Sequence, residues 1–350
     1  MRRQKFLRYG VAVLALAVAA CATEDVISPP APPPPPPPPP PGFLLWSDPG
    51  TWPGKAVPQA GSQVTVPAGT TIKLDVSPPP LRSLTVDGTL EFERKDLALT
   101  VDWIVVRGAL EIGTEAAPFT QRAVITLTGP ANENVQGAGA RVLAVLSGRL
   151  DLHGKTRATW TKLSATAAAG ARQIQVAGPI DWVAGDRVVI ASTDFEPLQA
   201  EEVVITGVQG GQVSFETPLR YGHWGQLQNY AGRAVDERGE VGLLSRNIVI
   251  QGDSVTSLAS GLGGHVMVMA GAVGRVEGVE LTRMGQKQQL ARYPMHWHMA
   301  GNVAGQYFKS NAVWKTFNRC LTIHGTNDLV ASGNVCYDNI GHAFFQEDGA

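Results

Sequence analysis

The chain has 350 residues, a formal net charge of −1, 17% charged residues, 7 histidines and 3 cysteines. So sparse and balanced a charge builds no basic field, which argues against nucleic acid as a partner. Three cysteines make no disulfide framework, and no apolar run beyond residue 20 approaches the length of a membrane span.

The first 20 residues read as an address. "MRRQKFLRYG" is basic and "VAVLALAVAA" is a short apolar run ending at Cys21, the layout of a secretory signal. Val18, Ala19 and Ala20 ahead of Cys21 resemble a bacterial lipobox. The expectation is a signal peptide over 1–20, lipidation of Cys21, and export to a lipid-anchored position on the outer membrane, since Ala22 replaces the Asp that marks inner-membrane retention. An ordinary signal peptide with an incidental cysteine is the alternative. Residues 21–42 then form a stalk, because "SPPAPPPPPPPPPPG" at 28–42 locks φ and supplies almost no donors. At ~3.1 Å per residue it extends on the order of 40 Å.

From residue 43 onward the pattern is all-β. There are 39 glycines, short runs of Val, Thr and Ile, and turn signals about every ten residues. "SQVTVPAGTTIKLDV" alternates apolar and polar positions, and no segment sustains a 3.6-residue period. "GTLEF" at 88–92, "GALEI" at 108–112 and "GRLDL" at 148–152 share Gly-x-Leu-acid-apolar at spacings of 20 and 40. A fixed period with one short strand per unit predicts stacked β coils.

These segments carry a family resemblance. "LLWSDPGTWPG", "VTVPAGTTIKLDV", "LTVDGTLEF" and "ALEIGTEAAPF" are similar to the G-eight domain, here over 43–165. "VIASTDFEPLQAEE" (189–202), "VDERGEVGLLSRNIVIQGD" (235–253), "RYPMHWHMAGNVAG" (292–305), "NRCLTIHGTNDL" and "GHAFFQEDG" follow in the order found in CEMIP-type and transmembrane hyaluronidase-like proteins. The resemblance implies a right-handed parallel β-helix over 235–350, reached through a small β segment at 166–234, and an activity on a uronate-containing glycan such as hyaluronan. The α/β GG module of the animal hyaluronan-degrading members has no counterpart here, because "TWTKLSATAAAGARQIQVAGPIDWVAGDRVVIAST" runs straight through. Relatives continue beyond the position of Ala350, so a fragment or an uncapped last coil is expected.

A second repeat sets a register. Asn311 and Asn334, Trp314 and Tyr337, and His324 and Glu347 are each 23 apart. Laid together, "YPMHWHMAG" (293–301), "RCLTIHGTN" (319–327) and "HAFFQEDGA" (342–350) superpose. Alternation along a strand points Met295, Trp297, Leu321, Ile323, Phe344 and Gln346 inward. It stacks His298, His324 and Glu347 outward in one column, with His296 beside them.

Two imidazoles and a carboxylate on neighbouring coils can hold one divalent metal ion, Zn if the imidazoles dominate and Ca if oxygens do. The same column can instead be a hydrogen-bonded ladder or a sugar-facing strip. Arg319, His296 and Trp297 are the substrate-binding candidates, Arg319 as a donor to an anionic sugar or as a satisfied turn residue. Glu347 and Asp348 are candidate catalytic carboxylates, with His342 aligned to Arg319 as a further donor. Their doublet spacing alone meets neither glycosidase separation. Asp236, Glu237 and Glu240 beside Arg238 read better as an ion-paired bend. The functional classes are a polysaccharide-active hydrolase or lyase, a non-catalytic glycan-binding or adhesion lipoprotein, and an envelope scaffold. The partners are a polysaccharide and, through the lipid, a membrane. Cys320 and Cys336 are left open as to pairing.

Overall fold

The computed structural model describes residues 42–348. The signal, Cys21 and nearly all of the proline run lie outside the described residues. No helix among the described residues is long and apolar enough to cross a membrane.

Three parallel sheets wrap one interior. The first joins Leu44–Leu45, Thr71–Leu74, Thr89–Phe92, Ala109–Ile112, Arg149–His153, Val273–Glu277, Tyr307–Lys309 and Val330–Ser332. The second joins Gln63–Val66, Ser83–Val86, Ile104–Val106, Val142–Val145, His265–Met269, Met295–Asn302, Leu321–Asn327 and Phe344–Glu347. The third runs from Leu97–Val101 through Ala123–Leu127, Ile248–Gly252, Val279–Thr282 and Ala312–Thr316 to Val335–Asn339. The three five-residue repeats fall on the first sheet in direct register, Leu90 against Leu110 and Leu110 against Leu150. This is the parallel β-helix that the repeats predicted.

The coils do not break where the two family-like blocks meet. Val142 pairs with His265, Arg149 with Val273 and Ala123 with Ile248, all in parallel. The chain therefore leaves the stack after His153 and rejoins it at Ile248 on the next coil. The excursion folds into an antiparallel sheet of six strands between Trp160 and Leu243, with a separate core that includes Leu163, Trp182, Ile190, Ile205 and Phe215. Strand Glu240–Leu243 pairs antiparallel with Arg187–Ile190. The structure thus puts residues 240–243, expected among the coils, in this inserted sheet. Strand propensity is blind to whether the neighbour runs parallel or antiparallel. In the bend before that strand Arg238 Nε lies 2.8 Å from Asp236 Oδ1, the ion-paired reading.

Inside the coils the leucine column ends at Gly274, which follows Leu150 in register. A Cβ on Gly274 would lie 2.8 Å from Trp297 Cζ2, so the missing side chain makes room for the indole. At a corner, Asn311 Oδ1 accepts from Val279 N at 2.9 Å, and Asn334 Oδ1 accepts from Asn311 N at 3.0 Å. These stacked amides satisfy backbone groups that a bend would otherwise orphan.

Cys320 and Cys336 are disulfide-bonded, 16 residues apart in sequence, and Cys320 is buried in the main core. The bond ties the start of a second-sheet strand to the third sheet. Closing a loop of this size is worth about 3 kcal/mol in unfolded-chain entropy. Replacing both cysteines by alanine should lower the denaturation midpoint accordingly, and an unchanged midpoint would show the bridge to be dispensable.

His265 makes a second prediction. It is fully buried, and neither ring nitrogen has a hydrogen-bond partner. Burial first, then Arg292 and His296, push its pKa down to about 3, and the Ala140 carbonyl only weakly opposes this. In the unfolded chain the ring takes a proton near pH 6.5, whereas the folded ring stays neutral to about 3. Its contribution to stability is therefore complete above pH ~6.5 and is lost as pH falls toward the folded value. Between pH 7 and 5 the wild type should lose more thermal midpoint than His265→Leu; equal losses would contradict this.

Candidate functional site

Met295–Asn302, Leu321–Asn327 and Phe344–Glu347 are neighbours on the second sheet. Their register sets Met295 against Leu321 and Phe344, Trp297 against Ile323 and Gln346, and His298 against His324 and Glu347. The outward column read from the 23-residue repeat is present.

Trp297 is an interior residue. It is completely buried, packs against Phe308, and its Nε1 donates to Gln306 Oε1 at 2.9 Å. Inward parity removes it from any sugar-facing surface, which corrects its place among the substrate-binding candidates. His296 has outward parity yet is also fully buried, because Tyr293 packs edge-on against it at 4.9 Å. It too cannot offer a sugar-facing surface, and it turns instead toward the other two histidines.

The tautomers follow from their partners. His296 Nδ1 lies 3.3 Å from the Ala291 carbonyl and donates to it. That leaves Nε2 as a lone pair, and this atom is buried without a partner, a costly condition for a polar group. His324 Nε2 lies 2.7 Å from Asp348 Oδ2 and donates to that carboxylate. Its Nδ1 therefore carries the lone pair, and it faces His298 Nδ1 at 3.1 Å. The ligand atoms of His296, His298 and His324 all lie within 4.8 Å of one another. Burial first and His298 next push His296 down to about 3. Burial first and His324 next lower His298. Both rings are held in the neutral form that a metal requires.

Three imidazoles with ligand atoms this close fit a divalent transition metal better than calcium. The Asp348–His324 hydrogen bond has the form of the carboxylate–histidine contacts that orient metal ligands. Glu347, expected as the third ligand, stands farther off, its Oε2 4.0 Å from His324 Nδ1. Its Oε1 is 3.4 Å from Arg319 Nη1. The three-histidine cluster thus takes in His296 as well, and Glu347 stands at its rim.

Arg319 is clamped. Its guanidinium sits 3.7 Å from the Phe345 ring centre and 4.8 Å from that of Tyr293, and Nη1 donates to Tyr293 Oη at 3.1 Å. Tyr293 was not singled out from the sequence. It lies 26 residues before Arg319, the same offset as Met295 to Leu321, so the register already set it against Arg319 as its first pair. His342 is exposed and its ring lies 4.7 Å from Phe345, so it borders the arginine clamp rather than the histidines. Asp348 is 65% exposed and reaches solvent from its bond to His324.

Residues 51–164 match the G8 domain family and residues 261–350 the CEMIP beta-helix family. Fibrocystin-L of Mus musculus is 36% identical over 353 residues, covering 87% of this chain and 8% of that protein. Protein rliB of Dictyostelium discoideum is 33% identical over 318 residues, covering 87% of this chain and 28% of its own length. The chain thus spans well under a third of these relatives. Among solved structures, a tailspike of Acinetobacter baumannii bacteriophage AP22 aligns over 74% of this chain and 40% of its own at 10% identity, with a TM-score of 0.25. A likeness this slight carries no weight for function.

Proposed function

We propose that this chain, which matches the G8 domain and CEMIP beta-helix families and is similar to fibrocystin-L, acts on a polysaccharide at a divalent-metal centre. The centre is held by His296, His298 and His324. The observation that carries this reading is the convergence of three imidazoles whose ligand atoms lie within 4.8 Å of one another, one of them with a buried, unpartnered nitrogen. An ion so held would polarise a glycan oxygen or make a bound water more acidic. Asp348 fixes the tautomer of His324, and Glu347 is the proton-transfer candidate, steered by Arg319. We assign the substrate to the uronate-containing class on the family resemblance. The Arg319 guanidinium supports this, since a substrate carboxylate could take the place of Glu347 beside it. A lipid at Cys21 would keep this activity on the cell envelope.

One observation favours a non-catalytic binder instead. A groove of about 670 Å³ between the inserted sheet and the coils is lined by Trp160, Phe195, Tyr337 and Phe344, with Asp194 and Glu240 among them. Exposed rings with polar neighbours suit sugar faces. Elemental analysis combined with reducing-end and unsaturated-product assays on hyaluronan and other uronate glycans separates the two. Stoichiometric metal with cleavage supports the enzyme, while glycan binding by a metal-free, inactive protein supports the binder.

A further inference from the structure

A second cleft lies on the first sheet, whereas the histidine cluster is on the second. It measures about 420 Å³ and is lined by Glu111, Arg149, Asp151, His153, Arg275 and Tyr307, within the usual size range of small-ligand sites. Four of these residues form one outward column on successive coils, Glu111 against Asp151, Asp151 against Arg275, and Arg275 against Tyr307.

The cleft has a fixed floor and a rim with unused valence. His153 is buried, and its Nε2 lies 2.8 Å from Tyr307 Oη. Burial lowers the imidazole and raises the phenol to about 12, so both stay neutral and share one proton along this contact. Lys309 Nζ lies over the Tyr307 ring, 4.0 Å from its centre. On the rim Arg149 is bonded to Glu111 and, at 2.9 Å, to Asp151 Oδ2. The other oxygen, Asp151 Oδ1, is buried without a hydrogen-bond partner. Arg275 Nη1 stands 3.8 Å from it, beyond hydrogen-bond reach. Among the described residues the Arg275 side chain donates one hydrogen bond, from Nε to the Gly305 carbonyl at 3.3 Å.

That pattern selects a ligand class. An anion is disfavoured, because three carboxylates, those of Glu111, Glu115 and Asp151, already line the cleft beside its two arginines. A metal ion is disfavoured too, since among the described residues the only three-ligand cluster is the histidine one. What remains is an orphaned acceptor beside a guanidinium that makes one hydrogen bond among the described residues, above an uncharged floor of His153 and Tyr307, in a cleft that Glu115 also lines. A hydroxyl, which donates once and accepts twice, would join the two once the half-exposed Arg275 side chain moves aside and uncovers the buried oxygen. We propose that this cleft binds a neutral, hydroxyl-rich saccharide, with Asp151 Oδ1 accepting from one hydroxyl and Arg275 donating to the same or the adjacent one.

The test is calorimetric titration of the full chain with malto-, cello- and galacto-hexaose. At least one should bind the wild type, and Asp151→Asn should weaken it tenfold or more. Arg275→Gln, at a half-exposed rim position, gives the same reading should Asp151→Asn fail to fold. His324→Ala should bind the hexaose as the wild type does, so failure of the metal centre and failure of this site are told apart. The proposal is overturned if no hexaose binds the wild type, if the folded variants bind as tightly as it does, or if His324→Ala also abolishes binding.

Discussion

Replacing His324 by alanine should leave the protein without a stoichiometric divalent ion and without cleavage of its glycan. His324 is the residue on which the arrangement converges, with His298 Nδ1 at 3.1 Å on one side of its ring and Asp348 Oδ2 at 2.7 Å on the other. Loss of an outer partner of a metal ligand costs about 10–100-fold in affinity, and loss of the ligand itself should cost more. Asp348→Asn should therefore fall in the 10–100-fold range, and His324→Ala beyond it. His296→Ala should resemble His324→Ala rather than Asp348→Asn, because its buried Nε2 has no other partner. Metal content per chain reads the first effect. Thermal unfolding with and without a chelator reads it independently, since an ion at a thousand times its dissociation constant adds about 4 kcal/mol to the folded state. A wild type that is purified free of metal, with a midpoint that a chelator does not move, would remove the centre from the account.

How this site was legible follows from how the coils are built. Parallel strands in direct register repeat their side-chain positions, so the 23-residue spacing of His324 and Glu347 translated into neighbours on the sheet. The repeat could not show depth. His296 and His298 have the same parity, yet the first is fully buried and the second only half-buried, because Tyr293 and the Ala291 carbonyl close over His296. Ala291 lies in the turn before the repeat, and Tyr293 at its first position, where the spacing does not tell which way the ring packs. Nor could the repeat decide between partners for a charged group: Glu347 was in line for the metal, but the clamped Arg319 guanidinium sits nearer to it. The inserted sheet was hidden for a different reason. Its strands alternate as the coil strands do, and the pairings of Ala123–Leu127 with Ile248–Gly252, Val142 with His265 and Arg149 with Val273 across the gap reveal that one stack continues.

The glycines that opened each short repeat lead to the largest expected effect on folding. Gly108 should not tolerate even a methyl group. A Cβ placed there would lie 1.9 Å from the Gly88 carbonyl oxygen and 2.5 Å from that of Asp87. The same contact recurs one coil on, where a Cβ at Gly148 would meet the Gly108 oxygen at 2.0 Å. Backbone torsion is not the obstacle, since Gly108 is not in the left-handed region. The obstacle is that these oxygens cannot retreat: the Gly88 carbonyl accepts from Ala109 N at 2.7 Å and the Gly108 carbonyl from Arg149 N at 2.8 Å. Moving either one breaks the ladder that spaces adjacent coils about 4.8 Å apart. Gly108→Ala should therefore cost about 3 kcal/mol or more, at or above the upper end of overpacking in a closed core. Gly207→Ala is the control, because a Cβ there meets nothing within 4 Å and should change stability by no more than about 0.5 kcal/mol. Chemical denaturation of the two variants side by side decides the matter. Midpoints that agree to within the equivalent of about 1 kcal/mol, judged against ordinary single-substitution effects, would mean that the coils can part at Gly108 and that close backbone approach is not what the repeated glycine secures.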